Sequence, residues 1–257
     1  MEKLTLDVCR SINENPTLKS AQAMFLRHFG AAWVGACVHR ALDVHGLEKL
    51  YRLDPEAGVI LCANHRSFFD LYVVASIMYK AKIPWNRNHY YPVRSNFFYE
   101  TWSGLSLNLL VGGGSMYPPI YRDSDKAAHT KASVERVTQL LSRPGAVVGL
   151  HPEGTRGKGE DPFELLPAQP GIGQIAHKSN APVVPIWIRG LSNSLKEQVQ
   201  NNYQAQAEPV VVEFGDPVDL DEFREKKGRV AVYKRMSDRI LDDIRILSER
   251  DRQRSKV

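Results

Sequence analysis

A histidine and an aspartate stand five positions apart in CANHRSFFD, residues 62–70. An imidazole titrates near neutrality and a carboxylate can fix its tautomer, so His65 and Asp70 are the residue types of a general base and its orienting acid. Inside one helix, five positions would set the two side chains ~140° apart. His65 must then precede the helix, where its ring can fold back over the first turn, one nitrogen donating to Asp70 while the other faces the cleft as a base. No protein nucleophile accompanies the pair. Ser67 is too near His65 along the backbone for a comfortable triad, and Cys62 lies in an apolar run that suits buried packing. The attacking group is therefore expected to be the substrate's own. A second account stays open: Ser67-x-x-Asp70 matches a capping box, which makes Asp70 a helix starter. That account leaves Asn64 and His65 without a purpose.

A second polar cluster, HPEGTRG at 151–157, follows another apolar run. A glycine-containing loop in that position can aim backbone N–H groups near Gly154 and Thr155, and a guanidinium, at a phosphate or a developing oxyanion. Arg156 reads as a phosphate fork or as a surface arginine in a turn. Glu153 reads as a site carboxylate or as one tying the loop to its neighbours. Arg122, after MYPPIY, offers a further cation or an ion pair with Asp123 or Asp125. Two other patterns carry little. GIGQIA at 171–176 fits a dinucleotide fingerprint but lacks a preceding strand and a following acid, and GGGS at 112–115 lacks the lysine of a phosphate loop and reads as a flexible turn.

These residues need elements to hold them. GVILCA (58–63), GAVVGL (145–150) and APVVPIWI (181–188) are short apolar runs, each ending in a polar cluster, with helical patterns over 67–80 and 125–142 between them. Runs that are apolar at every position suit strands covered on both faces, so the spacing predicts an α/β fold: a mixed, largely parallel sheet covered by helices. Ligands gather beyond the carboxyl ends of such strands, which puts His65 and the 151–157 loop on one rim. PVVVEFGDPVDL (209–220) reads as a late strand and turn. From Asp221 onward Val230, Tyr233, Ile240, Ile244 and Leu247 keep helical spacing, and the final SERDRQRSKV is expected to fray. Ser20 to Leu42 reads as a helix apolar enough to lie against a core or a membrane surface. The chain divides into an N-terminal helical extension over 1–43, with possible membrane-surface contact, and one domain over 44–257 ending in a helix.

NHRSFFD at 64–70, the arginine after PPIY at 122, PEGTRG at 152–157 and VVPI at 183–186 together resemble the glycerolipid acyltransferase family, whose members include 1-acylglycerol-3-phosphate acyltransferases. The likeness covers roughly Val44 to Gly190. It implies a glycerol-phosphate acyltransferase-like fold for the 44–257 domain and acyl transfer from acyl-CoA or acyl carrier protein to a lysophospholipid hydroxyl, with 1-acyl-sn-glycerol-3-phosphate giving phosphatidic acid. His65 would be the base and Asp70 its partner. Arg122, Arg94 and the block from Glu153 through Gly154 and Thr155 to Arg156 would hold the phosphorylated acceptor. No metal or redox cofactor is called for. The chain departs from the pattern at Arg94 and Gln169, where relatives often carry lysine, and at His151, where an apolar aromatic is common. The change at Gln169 keeps other acceptors in play, glycerol-3-phosphate or another lyso-lipid, beside a non-catalytic lipid-binding module or a thioesterase.

Composition agrees with a folded, lipid-facing enzyme without choosing it. The 257 residues are 43% hydrophobic, ample for a sizeable core. Three cysteines without paired spacing support neither a disulfide framework nor a zinc site, and a reducing compartment is expected. The start lacks the pattern of a secretory signal. The apolar piece from Phe29 to Val38 falls short of the ~20 residues that cross a bilayer. A formal charge of +5 suits anionic partners, and no nucleic-acid module is recognisable. The expectation is a peripheral or monotopic protein on the cytoplasmic side of a membrane.

Overall fold

The computed structural model describes residues 1–121, 127–204 and 208–256. Helix α1 (Glu2–Glu14) is followed at once by α2 (Pro16–Phe25). Asn15 caps α2, its Oδ1 accepting from the N–H groups of Thr17 at 3.0 Å and Leu18 at 3.1 Å, and Pro16 supplies a first turn that needs no N–H. A single π turn over Leu26–Gly30 joins α2 to α3 (Ala31–Val38), so the helix expected over 20–42 runs from 16 to 38 with one bulge. Strand β1 (Leu42–His45) begins inside the segment read as extension. Then come α4 (Leu47–Arg52), β2 (Val59–Ala63), α5 (Asp70–Lys80), β3 (Asn88–Tyr90), β4 (Val93–Arg94), α6 (Ser95–Phe98) and α7 (Trp102–Leu110). After β5 (Pro119–Ile120) follow α8 (Ala127–Leu141), β6 (Ala146–Leu150), α9 (Pro170–Ser179) and β7 (Val183–Arg189). The chain closes with α10 (Leu195–Tyr203), β8 (Val210–Phe214), α11 (Asp221–Arg224) and α12 (Val230–Arg254).

The main sheet has six strands in the order β1-β8-β7-β2-β6-β3. Neighbours pair in parallel except β7 with β8, so β3, β6, β2 and β7 run one way and the β8–β1 pair the other. This is the mixed, largely parallel sheet the apolar runs predict. Both faces are covered, and strand alternation decides which side chain goes where. Ile60 and Cys62 of β2 pack with α8, α9 and α12 through Val137, Ile175 and Ile240. Val59, Leu61 and Ala63 of the same strand pack with α3 and α5 through Val38, Val74 and Met78. Cys62 is fully buried in that core, as its run implies.

GIGQIA lies within α9. At Gly173 an added Cβ would meet the carbonyl oxygen of Tyr233 at 2.0 Å, so this glycine permits close approach of α9 and α12, and no phosphate loop forms there. GGGS forms a tight turn, with Gly113 (φ +54°) and Gly114 (φ +82°) left-handed. Their carbonyls accept from Gln22 Nε2 at 3.0 Å and Asn13 Nδ2 at 2.7 Å, which docks the N-terminal helices on the domain.

The chain end corrects an expectation. SERDRQRSKV was expected to fray, yet α12 continues to Arg254. Asp251 is 2% exposed and accepts from Trp187 Nε1 at 2.9 Å and Arg189 Nε at 2.6 Å, while Arg254 pairs with Glu213 on β8. Charges that look solvated along the chain are here matched across space to a buried partner, and leaving either alone would cost several kcal/mol.

Candidate active site

The carboxyl ends of β7, β2 and β6 point the same way, and the polar clusters that follow them meet on one rim. Asn64 anchors the start. Its Nδ2 donates to the Ile188 carbonyl at 2.8 Å and its Oδ1 accepts from the Ile188 N–H at 2.7 Å, prolonging the join of β2 to β7 by one side chain. His65 then leaves the sheet, and α5 begins at Asp70.

His65 Nδ1 lies 3.0 Å from Asp70 Oδ2. The same oxygen accepts the N–H groups of Arg66 and Ser67, each at 2.9 Å. The two accounts of CANHRSFFD therefore coincide in part: Asp70 does reach back to Ser67, as in a capping box, and the same contact aims its carboxylate at the imidazole. The serine half of the box is absent. Ser67 Oγ donates to the Ser192 carbonyl at 2.9 Å and accepts from Phe69 N at 3.2 Å, with no side-chain cap on α5.

Asp70 is fully buried, and burial lifts its carboxyl to about 6. Burial, and then the positive charges of Arg156 and Arg94, push His65 down to about 4. At neutral pH the carboxylate is ionised and the imidazole neutral. Nδ1 then carries the proton that Asp70 accepts, and Nε2 keeps a lone pair for a substrate hydroxyl.

The 151–157 loop is tied to the base. Glu153 is 2% exposed, its Oε1 accepting the His65 N–H at 2.8 Å and its Oε2 the Leu166 N–H at 2.8 Å. With both oxygens engaged on backbone, it positions the loop and His65, which is its tying role rather than that of a substrate ligand. The Gly157 N–H donates to the His65 carbonyl at 2.8 Å, closing the join. Gly154 takes a left-handed φ of +63°, and its N–H donates to the His151 carbonyl at 3.0 Å, so that group serves the turn rather than an oxyanion. Thr155 and Arg156 are exposed on the rim. Arg94, from β4, donates through Nη2 to the Gly154 carbonyl at 3.2 Å. Arg122 lies outside the described residues.

Sequence reasoning missed Asn193, in the polar stretch after β7. Its Oδ1 accepts from Arg156 Nη1 at 2.8 Å and Phe68 N at 3.2 Å, while its Nδ2 donates to the Arg66 carbonyl at 3.1 Å. It thus holds Arg156 against the turn that carries His65. The polar cluster that follows the apolar run 181–188 was the available signal. His151, noted in the sequence only as a departure from the family pattern, stacks on His65 with ring centroids 3.8 Å apart and planes 10° from parallel.

An α/β enzyme whose strand-end histidine is set against a buried aspartate, beside an arginine-bearing loop, can remove a proton from a hydroxyl held next to an anionic group. The chain belongs to the acyltransferase family, whose sequence model matches residues 41–189, and it is an O-acyltransferase. The match agrees with the resemblance to glycerolipid acyltransferases. The chain is 24% identical over 202 residues to the 1-acyl-sn-glycerol-3-phosphate acyltransferases of Salmonella typhimurium and Salmonella typhi, covering 77% of this chain and 74% of each of those. Its fold is similar to the crystal structure of the 1-acyl-sn-glycerophosphate (LPA) acyltransferase of Thermotoga maritima, with a TM-score of 0.53 at 14% identity over 96% of this chain and 98% of that one.

Proposed function

We propose that the chain moves a fatty acyl group from a thioester, acyl-CoA or acylated carrier protein, to the hydroxyl of 1-acyl-sn-glycerol-3-phosphate, giving phosphatidic acid. The observation that carries this reading is the His65–Asp70 contact on the same rim as Arg156, with Arg94 behind the loop. His65 Nε2 takes the acceptor's proton as the hydroxyl oxygen attacks the thioester carbonyl. The tetrahedral intermediate then expels the thiolate, which recovers the proton from the imidazolium. Throughout, Asp70 stays ionised and stabilises the cation, and no acyl-enzyme forms. Arg156 supplies a charge-assisted donor for the acceptor's phosphate.

Thiol release from acyl-CoA and from acylated carrier protein, followed with a panel of acceptors, tests the reading. Turnover should require a lysophospholipid and be fastest with the phosphate monoester. Release of free fatty acid without acceptor would make the protein a thioesterase, and no turnover with any acceptor would leave a binding module. Arg156→Ala should raise the acceptor KM about 10- to 100-fold, the loss of one hydrogen bond to a charged group, with kcat little changed.

The same reading requires a bilayer within reach, since the lysophospholipid acceptor and the phosphatidic acid product are membrane lipids. No helix among the described residues is long and apolar enough to cross a membrane. Met24 (64% exposed) and Phe29 (58%) leave apolar side chains on the outer side of the α2–π turn beside the basic Arg27, a pattern suited to a monotopic contact. Met24→Glu with Phe29→Glu should abolish co-sedimentation with anionic vesicles, while turnover of a detergent-dispersed substrate is retained.

A further inference from the structure

The structure assigns His151 as a positioning residue for the His65 base: its ring, anchored to the backbone, holds the plane of the His65 imidazole and backs the imidazolium formed when His65 takes the acceptor's proton. The assignment rests on the reading of His65 as the base.

The geometry is specific. His151 Nδ1 lies 2.9 Å from the Ala63 carbonyl and 3.1 Å from the Asn64 carbonyl. Carbonyl oxygens only accept, so Nδ1 carries the proton and the orientation of the ring is set by the end of β2. From that anchor the ring lies against one face of His65, at 3.8 Å and within 10° of parallel. The other restraints on His65 act elsewhere: Glu153 holds its main-chain N–H and Asp70 its Nδ1. Neither resists rotation of the imidazole about the line to Asp70. The stacked ring does, because tilting either plane would close the gap between them.

The same arrangement favours the protonated state that catalysis passes through. Burial and the proximity of His65 hold His151 down to about 3, so it is neutral wherever the enzyme works. A neutral aromatic face beneath a new cation attracts it, whereas a charged one would repel it. The charged and titratable groups around His65 are Asp70 from the head of α5, His151 and Glu153 beyond β6, Arg156 on the loop and Arg94 on β4.

One donor atom each from His65, Asp70 and His151 lies within 4.8 Å of the others, which invites a metal reading. Stacking argues against it: ring lone pairs lie in the ring planes, and two nearly parallel planes do not converge on one ion. Both Nδ1 atoms are also already engaged.

Two substitutions separate the ring from its anchor. His151→Gln keeps an N–H for the two carbonyls and removes the ring, whereas His151→Phe keeps a ring and removes the N–H. The readouts are the pH dependence of kcat/KM with acyl-CoA and a lysophospholipid, and the titration of His65 by NMR of histidine-labelled enzyme, which needs no turnover. His151→Gln should lower kcat about 10-fold. It should also move the His65 titration and the acid limb down by about one pH unit, since the imidazolium loses the aromatic face that attracts it. His151→Phe should stay within about 3-fold of wild type with both titrations unmoved. Wild-type behaviour of His151→Gln, or equal impairment of both variants, would overturn the assignment. A fully active His65→Ala enzyme would instead sink the reading of the base, which keeps the two failures apart.

Discussion

Replacing His65 by alanine is expected to lower kcat by about 10²–10⁴-fold, the usual worth of a positioned general base, with the KM for the thioester unchanged. The fold should survive. The His65 side chain is 21% exposed, and the bonds that tie its backbone to Glu153 and Gly157 do not involve the ring. Thiol release under single-turnover conditions checks the effect, because it separates the chemical step from product release. A kcat within a few-fold of wild type would mean that the acceptor hydroxyl loses its proton elsewhere.

Asp70→Asn should be nearly as damaging, about 10³–10⁴-fold in kcat by analogy with the triad aspartate of serine proteases, for a different reason. The amide oxygen can still accept from Arg66 and Ser67, so the turn persists, but the charge that stabilises the imidazolium is gone. Stability should move the opposite way from activity. Burial raises the Asp70 carboxyl from its ordinary value to about 6, so the folded state resists its ionisation. A raised value means that this group's contribution is present at low pH and is lost as pH climbs through about 6. A neutral asparagine has no such loss. The Tm of Asp70→Asn relative to wild type should therefore increase between pH 4 and pH 7, readable by calorimetry. In the wild-type enzyme the acid limb of kcat/KM should lie between the two perturbed values, about 4 for His65 and about 6 for Asp70, below that of a free imidazole. A limb above that range would mean the pair is less buried in solution.

Both predictions concern a pair visible in the sequence, because its two members lie close along the chain and one helix start relates them. The contacts that make the pair a site were less visible. Glu153 is 88 residues from His65, and Asn64 is 124 from Ile188. Nothing in the local pattern of either end announces its partner, since these bonds exist only because β6 and β7 flank β2. Arg156 was readable as a cation on a glycine-bearing loop. That Asn193 would hold it was not, because Asn193 reaches the rim from the end of another strand.

What the chain declares by itself is local: apolar runs long enough for covered strands, helical patterns over 20–42 and 67–80, and the His65–Asp70 spacing with its neighbouring arginine loop. Short-range sterics and periodicity carry that information within a few residues. Only the tertiary structure decided that β1 and β8 run against the other strands, that the charged terminus docks through Asp251, and that His151 lies flat on His65. Each of those depends on which buried partner a strand or helix meets, and burial is a property of the assembled layers rather than of any stretch of chain.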